Sequence, residues 1–329
     1  MIVRLGYVAM SMVVENASPS KTMTATHFAK LLDREAATRK LERIAAENLH
    51  NTLRLLRHNR AHDIHMYRFS SKLVPLIGHD LLEGWNPISG VLAPDFAEIG
   101  DYVRTHAMRV SFHPDHFTVL STPREDVLRS SVADLDRHVQ MLEAMGLDER
   151  AKCNIHIGGA YGSKETAGRR FIRQFAALPE SIKSRITLEN DDKTFNAAET
   201  LALCEQVGAP MVLDIHHHQV NNEGERADEL WPRILKTWET ASRPEDNILL
   251  PPKIHVSSPK DERNIRGHAD YIELPALMDF LRSIAELTPE LDVMIEAKMK
   301  DKALFRLMED IQGESGVREI DQASFELMT

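Results

Sequence analysis

The chain reads as an α/β protein folded into a single (β/α)8 TIM barrel with insertions on its rim. Three observations predict this. Eight short apolar runs of strand length recur along the sequence. Longer amphipathic, helix-like runs lie between most of them, the rhythm that gives parallel strands joined by crossover helices. No glycine-rich phosphate loop follows the first strand, which argues against the runner-up, an open doubly wound sheet. A barrel of this kind needs about 250 residues, so 329 leave room for decorations.

The eight strand-like runs are Ile2 to Gly6, Ile64 to Phe69, Met108 to Phe112, Asn154 to Ile157, Ile186 to Leu188, Met211 to Leu213, Lys253 to Val256 and Val293 to Ile295. Residues 39 to 60 place Leu41, Ile44, Ala45, Leu49, Leu53 and Leu56 on one helical face. A helix is expected after Thr122, where Thr122-Pro123-Arg124-Glu125 has the form of a capping box with proline in the first turn. It carries Leu128, Val132, Leu135, Val139 and Leu142 inward and stops near Gly146. Residues 196 to 207, 227 to 241 and 273 to 287 also read as helices. The segment 70 to 93, with Pro75, Gly78, Gly84, Trp85 and Pro87, reads as a long irregular insertion, and Ser11 to about Ser20 as a shorter one. Such loops at a barrel top form binding walls. The barrel domain is expected to occupy residues 1–312, with 313–329 a loosely held tail.

Composition sets outer bounds. With 43% hydrophobic residues the chain can bury a large core. It has no apolar run of membrane-spanning length, and its first residues, which lack a charged stretch followed by a long apolar one, are not expected to act as a signal peptide. Two cysteines, Cys153 and Cys204, suggest no disulfide framework, so a reducing, cytoplasmic setting is expected. The net charge of −10 taken alone argues against a nucleic-acid partner. Bound cations would cancel part of it wherever carboxylates serve as metal ligands.

The strongest signal is the chemistry at the strand ends, the rim on which barrel enzymes carry their sites. The third run ends in Phe112-His113-Pro114, the fourth carries His156, the fifth ends in Leu188-Glu189-Asn190 and the sixth in Asp214, with His217 three residues on. The seventh contains Lys253 and His255, and Glu296 follows the eighth. Strand alternation puts Lys253 and His255 on one face and Ile254 and Val256 on the other. Glu189 likewise points opposite Leu188, and Asp214 opposite Leu213, so the polar members face the barrel mouth.

A lone His or Asp at a strand end is ordinarily a hydrogen-bonded structural residue. Six of eight strands delivering one is a different matter, because burying so many ionisable groups together is costly unless metal ions compensate. The set mixes imidazoles and carboxylates and has no cysteine, which favours Mn²⁺, Zn²⁺ or Fe²⁺ over Mg²⁺ or Ca²⁺. It is too large for one tetrahedral ion, so two or three ions bridged by Glu189 or Glu296 are expected. Such clusters activate water and stabilise the attacking and leaving oxygens of phosphoryl transfer. Of His216, His217 and His218, the spacing from Asp214 favours His217 as the ligand. A cationic Lys253 among metal ions would be unfavourable unless neutral or modified.

These motifs in this order resemble the UV damage endonucleases, relatives of endonuclease IV and xylose isomerase. The resemblance rests on LGY near the start, His79 in the long insertion, HPDHF, HIGGAYG, LEND, the Asp214–His217 pair, PKIHVSS and MIEAK, and runs from about residue 1 to 300. It implies a DNA repair endonuclease that nicks immediately 5′ of a UV photoproduct, leaving a 3′-hydroxyl and a 5′-phosphate, and acts on abasic sites too. It implies up to three ions, commonly Mn²⁺, held by His79, His113, His156, Glu189, Asp214, His217, His255 and Glu296. His79 comes from the resemblance alone. So does N6-carboxylation of Lys253, which would turn the awkward cation into an anion and join Lys253 to Glu189 and Glu296 as catalytic groups. Lesion-probing positions fall on Tyr7, Ser11, His116 and Phe117. Where the family has asparagine this chain has Ser11, and where it has Gln-Tyr this chain has His116-Phe117. Phe117 keeps an apolar wedge of the kind that replaces stacking in kinked DNA.

The expected partner is UV-damaged duplex DNA, engaged by a monomer. Photoproducts stack poorly, so extruding them costs less than extruding normal bases. Backbone contacts are expected from the cluster Lys260, Arg263, Arg266 and His268, with Lys72, Lys164 and Lys298 as further candidates. A metal-dependent sugar isomerase or epimerase on the same barrel is the rival reading. A non-catalytic damage-binding barrel is a third. The His116-Phe117 pair, the long insertion and the basic cluster favour DNA.

Overall fold

The computed structural model describes residues 1–241 and 250–328. Eight parallel strands close into a barrel: β1 (Ile2–Val8), β2 (Met66–Arg68), β3 (Arg109–Phe112), β4 (Lys152–His156), β5 (Ile186–Glu189), β6 (Met211–Asp214), β7 (Lys253–Val256) and a last barrel strand, β10 (Glu290–Ile295), which pairs back onto β1. All eight expected strands are present. Outside the barrel run α1 (Ala25–Lys30), α2 (Arg34–Ala61), α3 (Ala93–Thr105), α4 (Glu125–Ala144), α5 (Lys164–Ala176), α6 (Glu180–Lys183), α7 (Ala197–Val207), α8 (Ile215–Val220), α9 (Ala227–Ala241), α10 (Leu274–Ile284) and α11 (Lys300–Ile311). No helix among the described residues is long and apolar enough to cross a membrane.

Alternation organises each strand. On β1, Val3, Leu5 and Tyr7 join the main core beneath the helices, while Gly6 faces inward. A Cβ at Gly6 would collide with the Met66 carbonyl, so the glycine of LGY allows β2 to close against β1. The barrel interior is layered along β10. Asp292 accepts from Arg4 (2.8 Å) and Arg109 (2.6 Å) at the lower level. Met294 packs with Val8 and Met66 above it, and Glu296 follows at the mouth. The register of β7 on β10 sets Lys253 opposite Asp292 and His255 opposite Met294, so Lys253 springs from a level below His255.

Two sequence expectations are corrected here. The chain after residue 312 is not a loose tail: β11 (Val317–Asp321) and β12 (Ser324–Leu327) form a hairpin, and β12 pairs antiparallel with the start of β1. Phe325 is fully buried there, and the apolar anchoring explains the order. The Thr122 capping box does not form either. Helix α4 starts at Glu125 with Arg124 as its N-cap, because the buried Thr122 hydroxyl accepts instead from the Arg124 amide (3.2 Å). A reciprocal capping box occurs at Asn196 and Glu199, opening α7.

The two rim insertions are held by side chains of α2. Asn48 donates to the Leu73 carbonyl (3.1 Å), Trp85 donates to Glu42 (3.3 Å) and Asn51 donates to the Ser18 carbonyl (2.9 Å). A third rim element, absent from the sequence reading, is the hairpin of β8 (Pro259–Asp261) and β9 (Asn264–His268), which rises from the end of β7 and carries the predicted basic cluster.

Candidate metal centre

Glu189, the last residue of β5, lies at the hub of the mouth and is 1% exposed. Its Oε2 is 3.2 Å from His113 Nε2 and 3.1 Å from His255 Nδ1, and its Oε1 is 3.6 Å from His217 Nδ1. Asn154 on β4 donates to the same carboxylate and is itself oriented by the Thr187 hydroxyl (2.8 Å). Burial alone would raise the Glu189 pKa, but His255, His156 and a hydrogen bond from His113 hold it well below the usual carboxylate range. Glu296 is held down in the same way, by Arg68, with which it is ion-paired, and by His255.

Among the described residues, three overlapping groups could each hold a metal ion: His113, His156 and Glu189; Glu189, Asp214 and His217; and Glu189, His255 and Glu296. Within each group the ligand atoms lie within 4.8 Å of one another. The donors are prepared for the task. His113, His156 and His217 each direct Nδ1 to a backbone carbonyl, of Pro114 (3.0 Å), Glu189 (3.2 Å) and Asn190 (2.9 Å). With the rings neutral, as metal binding would require, this selects the tautomer whose lone pair is on Nε2. Asp214 is fully buried; its Oδ1 accepts from the His217 amide (2.7 Å), while Oδ2 has no hydrogen-bond partner. His255 Nδ1 is within 3.1 Å of both Glu189 and Glu296 without a hydrogen bond to either. Orphaned buried atoms within these groups are what a divalent cation would satisfy, so the residues fit a bound metal ion.

The other predicted residues divide sharply. Lys253 is buried, with Nζ 3.4 Å from the Ser111 hydroxyl, and burial together with Arg109 and Arg68 holds its ammonium well below the usual lysine range. His79 belongs to none of the three groups: it is exposed, and its Nδ1 accepts from the Leu81 amide (3.2 Å). Tyr7 is corrected. As an outward-facing residue of β1 it is fully buried, packs edge-on against Tyr67 (5.4 Å between centroids) and donates to Asn59 (2.7 Å), so it cannot probe a lesion from this position. Ser11 on the rim donates to the buried Asp301 of α11, which also accepts from the Met12 amide (2.7 Å). His116 and Phe117 stand in solvent with their rings in contact and tilted by 39° (4.0 Å between centroids), and Phe117 is 73% exposed.

On the β8–β9 hairpin, Lys260 and Arg263 are exposed, and Arg266 donates to the Asp192 carbonyl (3.0 Å). His268, expected as a backbone contact, instead bonds the Glu296 carbonyl through Nδ1 (2.8 Å), with its ring 6.4 Å from that of His217. It repeats the preparation of His113, His156 and His217 and is the ligand-like residue that strand-end reasoning missed. Lys164 is ion-paired with Glu199 (3.0 Å), whereas Lys72 and Lys298 are exposed.

A cleft of about 500 Å³ opens between the β3, β4 and β5 loops and the hairpin, lined among others by His113, His156, His217, His116, Arg266 and His268. A larger cavity of about 610 Å³ lies at the opposite end of the barrel beside Arg4, Arg109 and Asp292 and is lined by none of the candidate ligands.

A family model described as UV-endonuclease UvdE matches residues 3–327. A UV DNA damage endonuclease of Halalkalibacterium halodurans is 46% identical over 312 residues, covering 94% of each chain. One of Bacillus pumilus is 41% identical over 324 residues, covering 98% of each. The crystal structure of SacUVDE aligns with a TM-score of 0.80 at 27% identity, over 94% of this chain and 98% of its own. The chain therefore belongs to the UV-endonuclease UvdE family.

Proposed function

We propose that this chain is a metal-dependent endonuclease that cleaves DNA immediately 5′ of UV photoproducts, and at abasic sites, leaving a 3′-hydroxyl and a 5′-phosphate. The observation that carries the reading is the convergence of three ligand groups on Glu189 at the edge of an open cleft, beside the solvent-exposed Phe117. The relatives' names, UV DNA damage endonuclease, support the broader reading of a nuclease that acts on UV-damaged DNA.

His113, His156, Glu189, Asp214, His217, His255 and Glu296 would hold two to three divalent ions, Mn²⁺ foremost. When bound, such ions supply an acidified water and charge stabilisation for the attacking and leaving oxygens of a phosphodiester. Hydrolysis adds the water oxygen to phosphorus and breaks the bond to O3′, which leaves with a proton. Glu189 and Glu296 gather the ligand sets, and Asn154 and Arg68 hold those two carboxylates in place. Lys253 in its neutral form can add carbon dioxide, giving a carbamate and a proton. The carbamate would offset Arg109 and Arg68 and extend an anion toward the cluster. His116 and Phe117 would meet the lesion, with the Phe117 ring taking the place of the lost base stack.

The working form is read as a monomer on duplex DNA in the cytoplasm. The buried free thiols of Cys153 and Cys204 suit a reducing setting. The test is incubation of purified protein and Mn²⁺ with UV-irradiated and unirradiated supercoiled plasmid. Irradiation-dependent nicking is the expected result. Turnover of a ketose without nicking would favour the isomerase, and damage binding without either activity would favour the binding module.

A further inference from the structure

The β8–β9 hairpin is pinned across the cleft at three places. Arg266 reaches the Asp192 carbonyl in the loop after Glu189, and His268 bonds the Glu296 carbonyl. The third pin is His216. It is fully buried, with Nε2 2.6 Å from the Ile265 carbonyl of β9 and Nδ1 2.7 Å from the hydroxyl of Ser257, two residues beyond His255. A carbonyl only accepts, so Nε2 carries the proton, and in the neutral ring Nδ1 accepts from Ser257. Both nitrogens are used, which leaves none for a metal although the next residue is the candidate ligand His217.

We propose that His216 is a positioning residue that clamps the β8–β9 hairpin at a fixed height over the cluster and so sets where Arg263, Ile265 and Arg266 meet the DNA. The Ile265 carbonyl is held by the clamp while its side chain stays 47% exposed, on a strand segment bracketed by Arg263 and Arg266. An apolar side chain flanked by arginines on a rim hairpin suits contact with a distorted duplex, since it can follow an opened base step while the guanidinium groups hold phosphates. A two-stranded hairpin is marginally stable alone. Without its clamp it would have to be ordered at the moment of binding, and that cost would appear in affinity.

The DNA arm of this inference rests on the endonuclease reading; the hairpin arm does not. The variants are His216→Ala, His216→Asn and His216→Gln; glutamine reaches the Nε2 position and retains a donor for Ile265, whereas asparagine reaches only the Nδ1 position. Limited trypsin digestion is scored after Arg263 and Arg266, alongside the melting temperature. For His216→Ala and His216→Asn, cleavage at these two sites should quicken roughly tenfold or more, the scale of one missing buried hydrogen bond. Digestion elsewhere should quicken far less, even where loss of the buried ring lowers the melting temperature, and His216→Gln should resemble the wild type. On a photoproduct-containing duplex, KM should rise by a similar factor with kcat little changed. Wild-type cleavage rates in both deficient variants, uniform acceleration with a lowered melting temperature, or a glutamine variant as impaired as alanine would overturn the clamp. A fall in kcat at constant KM would overturn it too, by showing that His216 acts through His217. Should alanine not fold, the Asn–Gln contrast decides alone. A wild-type protein that fails to nick irradiated DNA would sink the endonuclease reading and leave the digestion result to judge the clamp.

Discussion

His255 Nδ1 lies 3.1 Å from a Glu189 carboxylate oxygen and makes no hydrogen bond to it. The two residues reach the mouth from β7 and β5, with β6 between them. A buried imidazole nitrogen this close to a carboxylate oxygen forms a pair that either a proton or a shared metal ion can bridge. Replacing Glu189 by glutamine keeps the shape and removes the charge on which all three ligand groups converge. Incision of UV-irradiated plasmid should fall by roughly two to three orders of magnitude or more, while lesion binding in a mobility-shift assay persists. Full incision by a folded Glu189→Gln protein would refute the assignment.

Lys253 should carry a carboxyl group. Burial, Arg109 and Arg68 push its amine well below the usual lysine range, which favours the neutral form that adds carbon dioxide. Crystals grown in bicarbonate should show electron density beyond Nζ, and ¹³C-bicarbonate should give a carbamate carbon resonance. An unmodified amine in both would remove Lys253 from the catalytic set.

Phe117 and Tyr7 should separate lesion recognition from folding. Removing the exposed ring in Phe117→Ala should leave the urea midpoint unchanged and weaken binding to a photoproduct duplex by about 1–3 kcal/mol, the scale of one aromatic–base stack. Tyr7→Phe strands the buried Asn59 oxygen and should cost about 1–3 kcal/mol of stability with lesion preference intact. A shift of lesion preference in the Tyr7 variant would mean that this ring leaves the core during function.

The hairpin charges should be visible in salt. Lys260 and Arg263 are exposed on the rim despite a net charge of −10. Neutralising both to glutamine should lower the slope of log affinity against log salt by about 1 for each phosphate that is no longer neutralised. An unchanged slope would show that the hairpin does not touch the backbone.

Stability of the metal-free chain should fall as pH rises above neutrality. Burial alone would drive the His217 and His255 imidazoles down. Asp214 and Glu189 beside the first, and Glu189 and Glu296 beside the second, lift each to about 9. Cations raised in the folded state contribute fully below the ordinary imidazole value of 6.5, and the contribution is lost as pH climbs through about 9. Metal requires these rings unprotonated, so its binding strengthens over the same interval. The urea midpoint of chelator-treated protein should drop between pH 6.5 and 9, and Mn²⁺ should restore more at pH 9 than at pH 6.5. A flat profile for the chelated protein would contradict the paired imidazoles.

The sequence by itself determined the barrel and the inward face of its chemistry. Strand length, helix period and the two-residue alternation are local properties, and they were enough to find eight strands and to turn Glu189, Asp214 and His255 toward the mouth. The same alternation, followed along Val3, Leu5 and Tyr7, would also have sent Tyr7 into the helical core. What only the tertiary structure decided depends on partners distant along the chain. Ser11 meets Asp301 across 290 positions, His268 bonds the Glu296 carbonyl 28 positions on, and β12 pairs with the first strand. Periodicity says which way a side chain points; closure of the barrel and the docking of its rim decide what it meets there.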